Sequence, residues 1–261
     1  MNERLKSIVH PLIAFVIVVA LWDVAIRVFK IPNFILPTPE GVLAAMKRGY
    51  VEGEFWKHFF FTLTSMVSGY ALGCSAAFVL GCVFAESRAV ERVLHPFVVS
   101  LQSMPKVALA PLIIVWFGFD MASKVVMVAL VCFFPMFINT VVGLKQVNPA
   151  LLDLMHAFSA SRWNVLVRIK IPSAAGHIFA GLQIAIVLGL IGAVVAEFVS
   201  STRGLGHLIN ASAVNLETNV MFAALASLAV LGIAGSQFIR FLHQRIVFWD
   251  RGSATEPAAT E

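Results

Sequence analysis

Residues 125–144, VVMVALVCFFPMFINTVVGL, contain no Asp, Glu, Lys or Arg. Such a run has the length of about 20 residues that a helix needs to cross the hydrocarbon core of a bilayer. Three more charge-free runs meet this criterion, at 58–85, 171–196 and 218–239. The pattern lacks the alternating segments of about ten residues that a membrane β-barrel would show. The chain is therefore predicted to be an all-α integral membrane protein.

Six membrane spans are predicted, in a single domain that covers residues 1–261. The third span carries Pro105 and Pro111, and a proline inside a helix removes a backbone hydrogen bond. We therefore expect this helix to break or kink at Pro105 and to face protein or water there. The tail at 252–261 is expected to be disordered. The predicted spans are about 8–28, 60–84, 93–117, 123–144, 173–199 and 219–241.

Basic residues predict the orientation, because cytoplasmic loops of membrane proteins are enriched in Lys and Arg. With the N-terminus inside, eleven of the 19 Lys and Arg fall on the cytoplasmic side, and most of the others lie in the long first loop. Both termini are therefore expected to be cytoplasmic. The net charge of +5 comes from residues scattered in short loops, so no nucleic-acid partner is expected. Three cysteines within apolar runs indicate packing and no metal site.

The loop before the fifth predicted span is amphipathic: residues 151–172 read LLDLMHAFSASRWNVLVRIKIP. Asn148 and Pro149 are suited to the N-cap and first position of a helix, whose apolar face would be Leu151, Leu154, Met155 and Phe158. Residues 159–161 interrupt this helix, and a second one is predicted to run towards Pro172. Such a loop is too polar to cross the bilayer. It could lie on the membrane surface or dock into a partner.

The same stretch resembles the E-A-A…G…I-x-L-P signature of the permease subunits of bacterial binding-protein-dependent ABC importers. Asp153 takes the acidic place, Ser159 the glycine place, and Ile169–Pro172 follows after nine residues. Further stretches resemble the nitrate, sulfonate and taurine branch of this family. They are FILPTPEGV (34–42), LQSMPKVALAPLIIVWFGF (101–119), SASRWNVLVRIKIPSA (159–174) and GAVVAEF (192–198).

The resemblance implies a type I ABC importer permease in the bacterial inner membrane that moves a small solute, most simply an anion such as nitrate, taurine or another sulfonate. A pyrimidine vitamin precursor or another heterocycle is the alternative solute. The permease would pair with a second copy, contact membrane lipid, dock on cytoplasmic ATPase subunits and receive solute from an external binding protein. This chain has no G-x-x-x-x-G-K-[ST] phosphate loop for binding ATP. We therefore expect that it is not an enzyme and holds no cofactor. ATP and Mg would be bound by the partner ATPase.

The loop at 149–171 would then be the coupling helix. Two residues depart from the family pattern. Asp153 is one methylene shorter than glutamate, and Ser159 costs about 1–2 kcal/mol if the turn needs a positive φ. Arg162 and Trp163 are of types that dominate interface energetics, although both also suit lipid headgroups. The predicted coupling residues are Asp153, His156, Ala157, Ser159, Ala160, Arg162, Trp163 and Pro172.

Polar groups inside spans are candidates for the solute pathway, because their burial in a membrane is expensive. Lys106 could attract an anion or snorkel to the outer interface. Interhelical hydrogen bonding is the alternative for Gln102, Asn139 and Gln183, and a cap or ion pair is the alternative for Glu197. The predicted pathway residues are Gln102, Met104, Lys106, Asn139, Gln183 and Glu197.

Two other classes of membrane protein, secondary transporters and membrane-embedded enzymes, fit the sequence less well. A secondary transporter driven by an ion gradient would be expected to carry paired acidic or cation-binding groups at mid-membrane, and the spans show none. A membrane-embedded enzyme would be expected to show a motif such as H-E-x-x-H or G-x-S-x-G, which the sequence lacks. Small residues such as Gly69, Gly73 and Gly81 allow close helix packing, within one chain or between two copies.

Overall fold

A computed structural model describes residues 3–249; the side chains of residues 3–8, 11, 12 and 156, and the predicted disordered tail, lie outside the described set. Every regular element in the described part is helical, as predicted. The α-helices are α1 (Glu3–Phe29), α2 (Pro39–Val51), α3 (Glu54–Glu86), α4 (Arg88–Ser103), α5 (Ala110–Phe117), α6 (Met121–Lys145), α7 (Pro149–Ala157), α8 (Arg162–Val165), α9 (Ile171–Ser173), α10 (Ala175–Ser200), α11 (Leu205–Val214) and α12 (Thr218–Ile246), with a 3₁₀ turn at Lys106–Leu109 and a π turn at Leu166–Lys170.

Four described helices are long and apolar enough to cross a membrane: α3, α6, α10 and α12. They correspond to the second, fourth, fifth and sixth predicted spans. A fifth span results if α4 and Lys106–Phe117, which meet at a bend of 87°, are counted as one. The first predicted span falls within α1, where several side chains lie outside the described set, so that span stays a prediction.

The predicted break in the third span is confirmed. Helix α4 ends at Ser103, Met104 has an extended backbone (φ −73°, ψ 138°), and a single 3₁₀ turn after Pro105 leads into α5. Proline disfavours helical backbone in the residue before it. This explains why Met104 is extended and the helix ends at Ser103. The helix also begins at Arg88, five residues earlier than the predicted span.

The described chain divides into two compact units; whether it acts as the single predicted domain stays a prediction. The first unit ends at Thr62 and resumes at Thr202–Ala229. Its core contains Val42, Phe55 and Ala223. Helix α2 begins at Pro39, and the Thr38 Oγ1 caps it by accepting the Gly41 N–H at 3.1 Å.

Residues 201–218, which connect the fifth and sixth predicted spans, contain the helix α11. This helix buries Leu205 and Ile209 in the first unit. Its first turn is held by side chains of α3: the Thr62 Oγ1 accepts the Leu205 N–H at 2.8 Å. Gly and Ser disfavour an isolated helix, and contacts from distant residues decide the conformation here.

The second unit, Leu63–Ser201 and the chain from Val230, packs α3 and α10 against α6 through small residues. A Cβ added at Gly73 would lie 2.4 Å from the carbonyl oxygen of Ala129, and one at Gly181 would lie 2.9 Å from the Asn139 Cβ. These helices therefore approach until backbone and side chains touch. Packing within one chain, one of the two predicted uses of the small residues, accounts for Gly69, Gly73 and Gly81.

Candidate coupling site and solute pathway

The predicted coupling loop begins with a capped helix, as expected. The Asn148 Oδ1 accepts the N–H of Ala150 at 2.9 Å, and Pro149 is the first residue of α7. Proline is favoured at this position because its missing N–H would have no helical partner. The start of the loop at residue 149 follows from these local contacts.

The turn after α7 depends on Ser159, which has a positive φ of 53°. The next N–H, from Ala160, donates to the Met155 carbonyl oxygen at 3.0 Å and closes the helix end. Helices often end with one residue in the left-handed region, usually glycine. The glycine place of the family signature is therefore a left-handed position in this chain, and Ser159 occupies it at a cost of about 1–2 kcal/mol.

The second half of the loop runs into the fifth predicted span. Ser161 caps α8 by accepting the Asn164 N–H at 3.3 Å. A π turn follows, closed by the Ile171 N–H on the Leu166 carbonyl oxygen. Pro172 has no N–H to continue the α-helical ladder, and such a loss is a common cause of local rearrangement. Ala174 then separates the short α9 from α10.

The apolar face predicted for α7 points outward. Leu151 and Leu154 are exposed, and at the tip of the loop Phe158 is 76% and Trp163 70% exposed. Exposed apolar patches mark sites of interaction with proteins or membranes. Phe158 was predicted only as part of this face and not as a site residue; its place at the end of an i, i+3, i+7 series was the available signal.

The other predicted coupling residues lie in three settings. Asp153, Ala157 and Ser159 are exposed, Ala160 and Pro172 are half-buried, and the side chain of His156 lies outside the described set. Arg162 faces a polar cavity that it shares with Glu86 and Lys170.

Lys106 lies at the break between α4 and α5, half-buried, as a pathway residue could. Its Nζ donates to the Gln102 carbonyl oxygen at 3.0 Å and lies 4.5 Å from the centre of the Phe134 ring. An ammonium over an aromatic face is stabilised by the ring quadrupole. Gln102 and Met104 are exposed beside it.

The remaining predicted pathway residues lie on α6 and α10. The Asn139 Nδ2 donates to the Pro135 carbonyl oxygen of its own helix at 2.8 Å, and Gln183 is half-buried. Glu197 is only 1% exposed, near the end of α10.

Lys124 was missed as a functional candidate because it begins α6 like a boundary residue, yet it is 0% exposed. Its Nζ donates to the carbonyl oxygens of Phe119 and Ser200, each at 2.5 Å. A buried ammonium must be paired and hydrogen-bonded to be tolerated. This cluster fixes the start of α6 to the end of α10.

Comparison with known proteins identifies the family. Residues 69–248 match the family model described as binding-protein-dependent transport system inner membrane component. The riboflavin transport system permease protein of Chloroflexus aurantiacus is 34% identical, over 91% of this chain and 89% of its own. The formylaminopyrimidine transport permease protein of Halalkalibacterium halodurans is 30% identical, over 95% and 98%. The taurine transport system permease protein of Escherichia coli is 28% identical, over 90% and 86%.

A solved structure shows the same fold. A chain of the inward-facing MetNI methionine ABC transporter matches with a TM-score of 0.58 and 18% identity, over 74% of this chain and 92% of that one. The predicted resemblance is thus confirmed by sequence and by fold. The chain belongs to the binding-protein-dependent transport system inner membrane components, the membrane permeases of ABC importers, and is not itself the catalytic subunit.

Proposed function

We propose that the loop at 149–171 couples this permease to a cytoplasmic ATPase. The observation that carries the proposal is the exposed apolar edge formed by Leu151, Leu154, Phe158 and Trp163 on a loop closed by the left-handed Ser159. An amphipathic helix that presents i, i+3, i+7 anchors fits a groove in a partner. The exposed Asp153, Ala157 and Ser159 would lie at the same contact, with Ala160, Arg162, Pro172 and His156 completing the predicted set.

The loop is connected to the spans in a way that can transmit movement. The π turn leads through α9 directly into α10, and α10 packs on α6 with Gly181 against Asn139 and Gly189 against Cys132. Closely packed helices move as units and do not deform continuously. ATP and Mg, bound by the ATPase, would supply the energy, and this chain would supply the pathway.

The assembly we propose contains two copies of the permease, the ATPases and an external solute-binding protein, in the inner membrane of a bacterium. The excess of Lys and Arg in the loops that flank the spans supports cytoplasmic termini. In this orientation the coupling loop, which lies beyond the basic end of α6 at Lys145, is on the ATPase side.

The energy source is tested by uptake measurements in cells of the native host. ATP is depleted while an imposed proton gradient is kept, and in a parallel sample the gradient is dissipated with ATP kept. We expect uptake to stop in the first condition and to persist in the second, since coupling depends on the ATPase. Uptake that follows the gradient would instead establish a secondary transporter.

We propose further that the solute is a small anion of the nitrate, sulfonate or taurine kind, with Lys106 among the groups that attract it. Its half-buried ammonium at the break between α4 and α5 supports this. Gln102, Met104, Asn139, Gln183 and Glu197 remain the other pathway candidates. The alternative is a heterocycle, as the names of the riboflavin and formylaminopyrimidine relatives allow.

Substitution of Lys106 separates the two solute classes. Loss of a hydrogen bond to a charged group costs about 1.5–3 kcal/mol, so Lys106→Met should raise the KM for labelled taurine at least about ten-fold. Lys106→Arg, which keeps the charge, serves as the control and should retain most of the uptake. If both variants transport like the unaltered protein and labelled riboflavin is the better solute, the anion proposal is wrong.

A further inference from the structure

A polar cavity of about 580 Å³ lies between the end of α3 and the coupling loop, with Arg88, Arg162, Lys170 and Glu86 in its lining. The Glu86 carboxylate already forms an ion pair, because its Oε1 accepts a hydrogen bond from the Lys170 Nζ at 2.5 Å. Glu91, close to Arg88 along the chain, is bonded to Lys145. Among the described residues neither Arg88 nor Arg162 forms an ion pair with a carboxylate. The lining therefore carries more positive than negative charge, with Arg88, Arg162 and Lys170 against Glu86.

An apolar groove of about 430 Å³ adjoins this cavity, and Glu86 and Ser87 belong to the lining of both. Its floor is the outer face of α3 from Phe78 to Val83, and its other wall includes Trp163 and Leu166. From Phe78 to Glu86 the helix rises about 12 Å, at 1.5 Å per residue. The groove thus runs from the charged cavity along a helix that is long and apolar enough to cross the membrane.

We infer that cavity and groove together bind an anionic phospholipid, with its phosphate between Arg88 and Arg162 and an acyl chain along α3. Arginine is suited to this because its planar fork of donors matches phosphate oxygens. A free phosphate ion would leave the groove unused. Basic pockets at the ends of membrane helices are known places for anionic headgroups. The inference depends on α3 spanning the membrane and is independent of the solute. It assigns Arg162 and Trp163, two of the predicted coupling residues, to the lipid.

A lipid in this site would touch both α3 and the coupling loop. Arg88 starts α4 just after α3 ends, whereas Arg162 and Trp163 belong to α8. The lipid would therefore hold Arg162 and Trp163 at the end of a span, while Leu151, Leu154 and Phe158 stay exposed and available to the ATPase. Anionic lipid becomes, in this view, a structural component of the coupling site.

The test uses Trp163 as the reporter in the full-length protein, reconstituted in phosphatidylcholine nanodiscs with increasing phosphatidylglycerol whose acyl chains are brominated. Bromine quenches nearby indoles, and subtracting the signal of a Trp163→Phe variant isolates this one residue. We expect quenching to saturate at a much lower mole fraction of brominated phosphatidylglycerol than of brominated phosphatidylcholine. Equal quenching by both lipids would overturn the inference.

Charge substitutions locate the headgroup. Each basic residue near an anionic membrane contributes roughly a five-fold affinity gain, so Arg88→Gln and Arg162→Gln should each raise the required lipid fraction about five-fold, and together about 25-fold. Arg168→Gln is the matched control, since Arg168 lies in the same segment, is exposed and is outside the cavity. An equal effect of Arg168→Gln would mean diffuse surface attraction and would reject the site.

The source of the phosphate is distinguished in the same nanodiscs. Inorganic phosphate at millimolar concentration should leave the Trp163 quenching unchanged, because the acyl chain contributes to lipid binding. Displacement of the lipid by inorganic phosphate would identify a free-anion site instead. If the double Arg variant does not fold, the comparison of the two brominated lipids on the unaltered protein still decides the question.

Discussion

Ser159 ends α7 with a left-handed backbone, at φ 53°, in a position where the family signature has glycine. Two residues later, Ser161 has an ordinary φ of −65° and caps α8 through its hydroxyl. The two serines lie in the same turn but affect stability in opposite ways. The Cβ of Ser159 is strained by the positive φ, whereas the hydroxyl of Ser161 stabilises the start of α8. This contrast gives a direct test of the turn geometry.

We predict that Ser159→Gly leaves uptake intact and raises the free energy of unfolding by up to about 1 kcal/mol. The relief of left-handed strain, about 1–2 kcal/mol, is offset by the entropy of glycine in the unfolded chain. Ser159→Val should lower the same free energy, because a branched Cβ is least compatible with positive φ. Thermal unfolding of the purified protein measures both.

Ser161→Gly is the matched control, and it should lower stability by only a few tenths of a kcal/mol through the lost cap. A stabilisation by Ser161→Gly equal to that by Ser159→Gly would show that the turn is not as described.

At the residue scale, the sequence predicted the features of the loop that depend on neighbouring residues, and it missed the contacts between residues distant in the chain. The Asn148–Pro149 helix start and the sensitive position at Ser159 follow from neighbours along the chain. Lys124, in contrast, donates a hydrogen bond to Ser200, which lies on another helix. Arg88 counted in the sequence only as one of the basic residues that set orientation. Partners brought together by folding cannot be read from one residue's neighbours.

At the scale of helices, α3, α6 and α10 depend on close approach. Two interior glycines differ in what surrounds them. An added Cβ at Gly73 would lie 2.4 Å from the Ala129 carbonyl oxygen, whereas at Gly192 the nearest atom, Val131 Cγ2, is 3.4 Å away. Backbone cannot yield as a side-chain end can, so the two positions should respond differently to the same change.

We therefore predict that Gly73→Ala destabilises the protein by about 1–3 kcal/mol, the usual cost of overpacking. Gly192→Ala should be neutral or stabilising, since alanine is up to about 1 kcal/mol better than glycine within a helix. Both are measured by thermal unfolding in detergent. A tolerated Gly73→Ala, with unchanged melting temperature, would contradict the packing of α3 on α6.

The ends of the helices show which sequence signals are sufficient to predict where a helix begins or breaks. Charge-free runs located α6 and α10 to within a few residues, and Pro105 located the break, because both signals are contained in the segment itself. The second span was predicted from residue 60, whereas the helix that contains it begins at Glu54, where Phe55 packs into the core of the first unit. The helix α11 was missed for the same reason: its first turn depends on Thr62 and His58 of α3.

At the scale of the whole molecule, the second unit exposes one phenylalanine before α6 and another beyond its end, in the coupling loop. Phe119 precedes α6 and is 74% exposed; Phe158 follows it, in the coupling loop, and is 76% exposed. With 25 residues, α6 is about 37 Å long, more than the hydrocarbon thickness of about 30 Å. The two side chains should therefore meet different compartments and different partners.

The most direct measurement replaces Phe158 with a photoreactive benzoyl-phenylalanine and identifies, by mass spectrometry, what it captures in membranes of the native host. The same replacement at Phe119, equally exposed at the other end of α6, is the control. We predict that position 158 captures an ABC ATPase and that position 119 does not. Capture of lipid alone at position 158, or of the ATPase equally from position 119, would contradict the assignment of this loop as the coupling site.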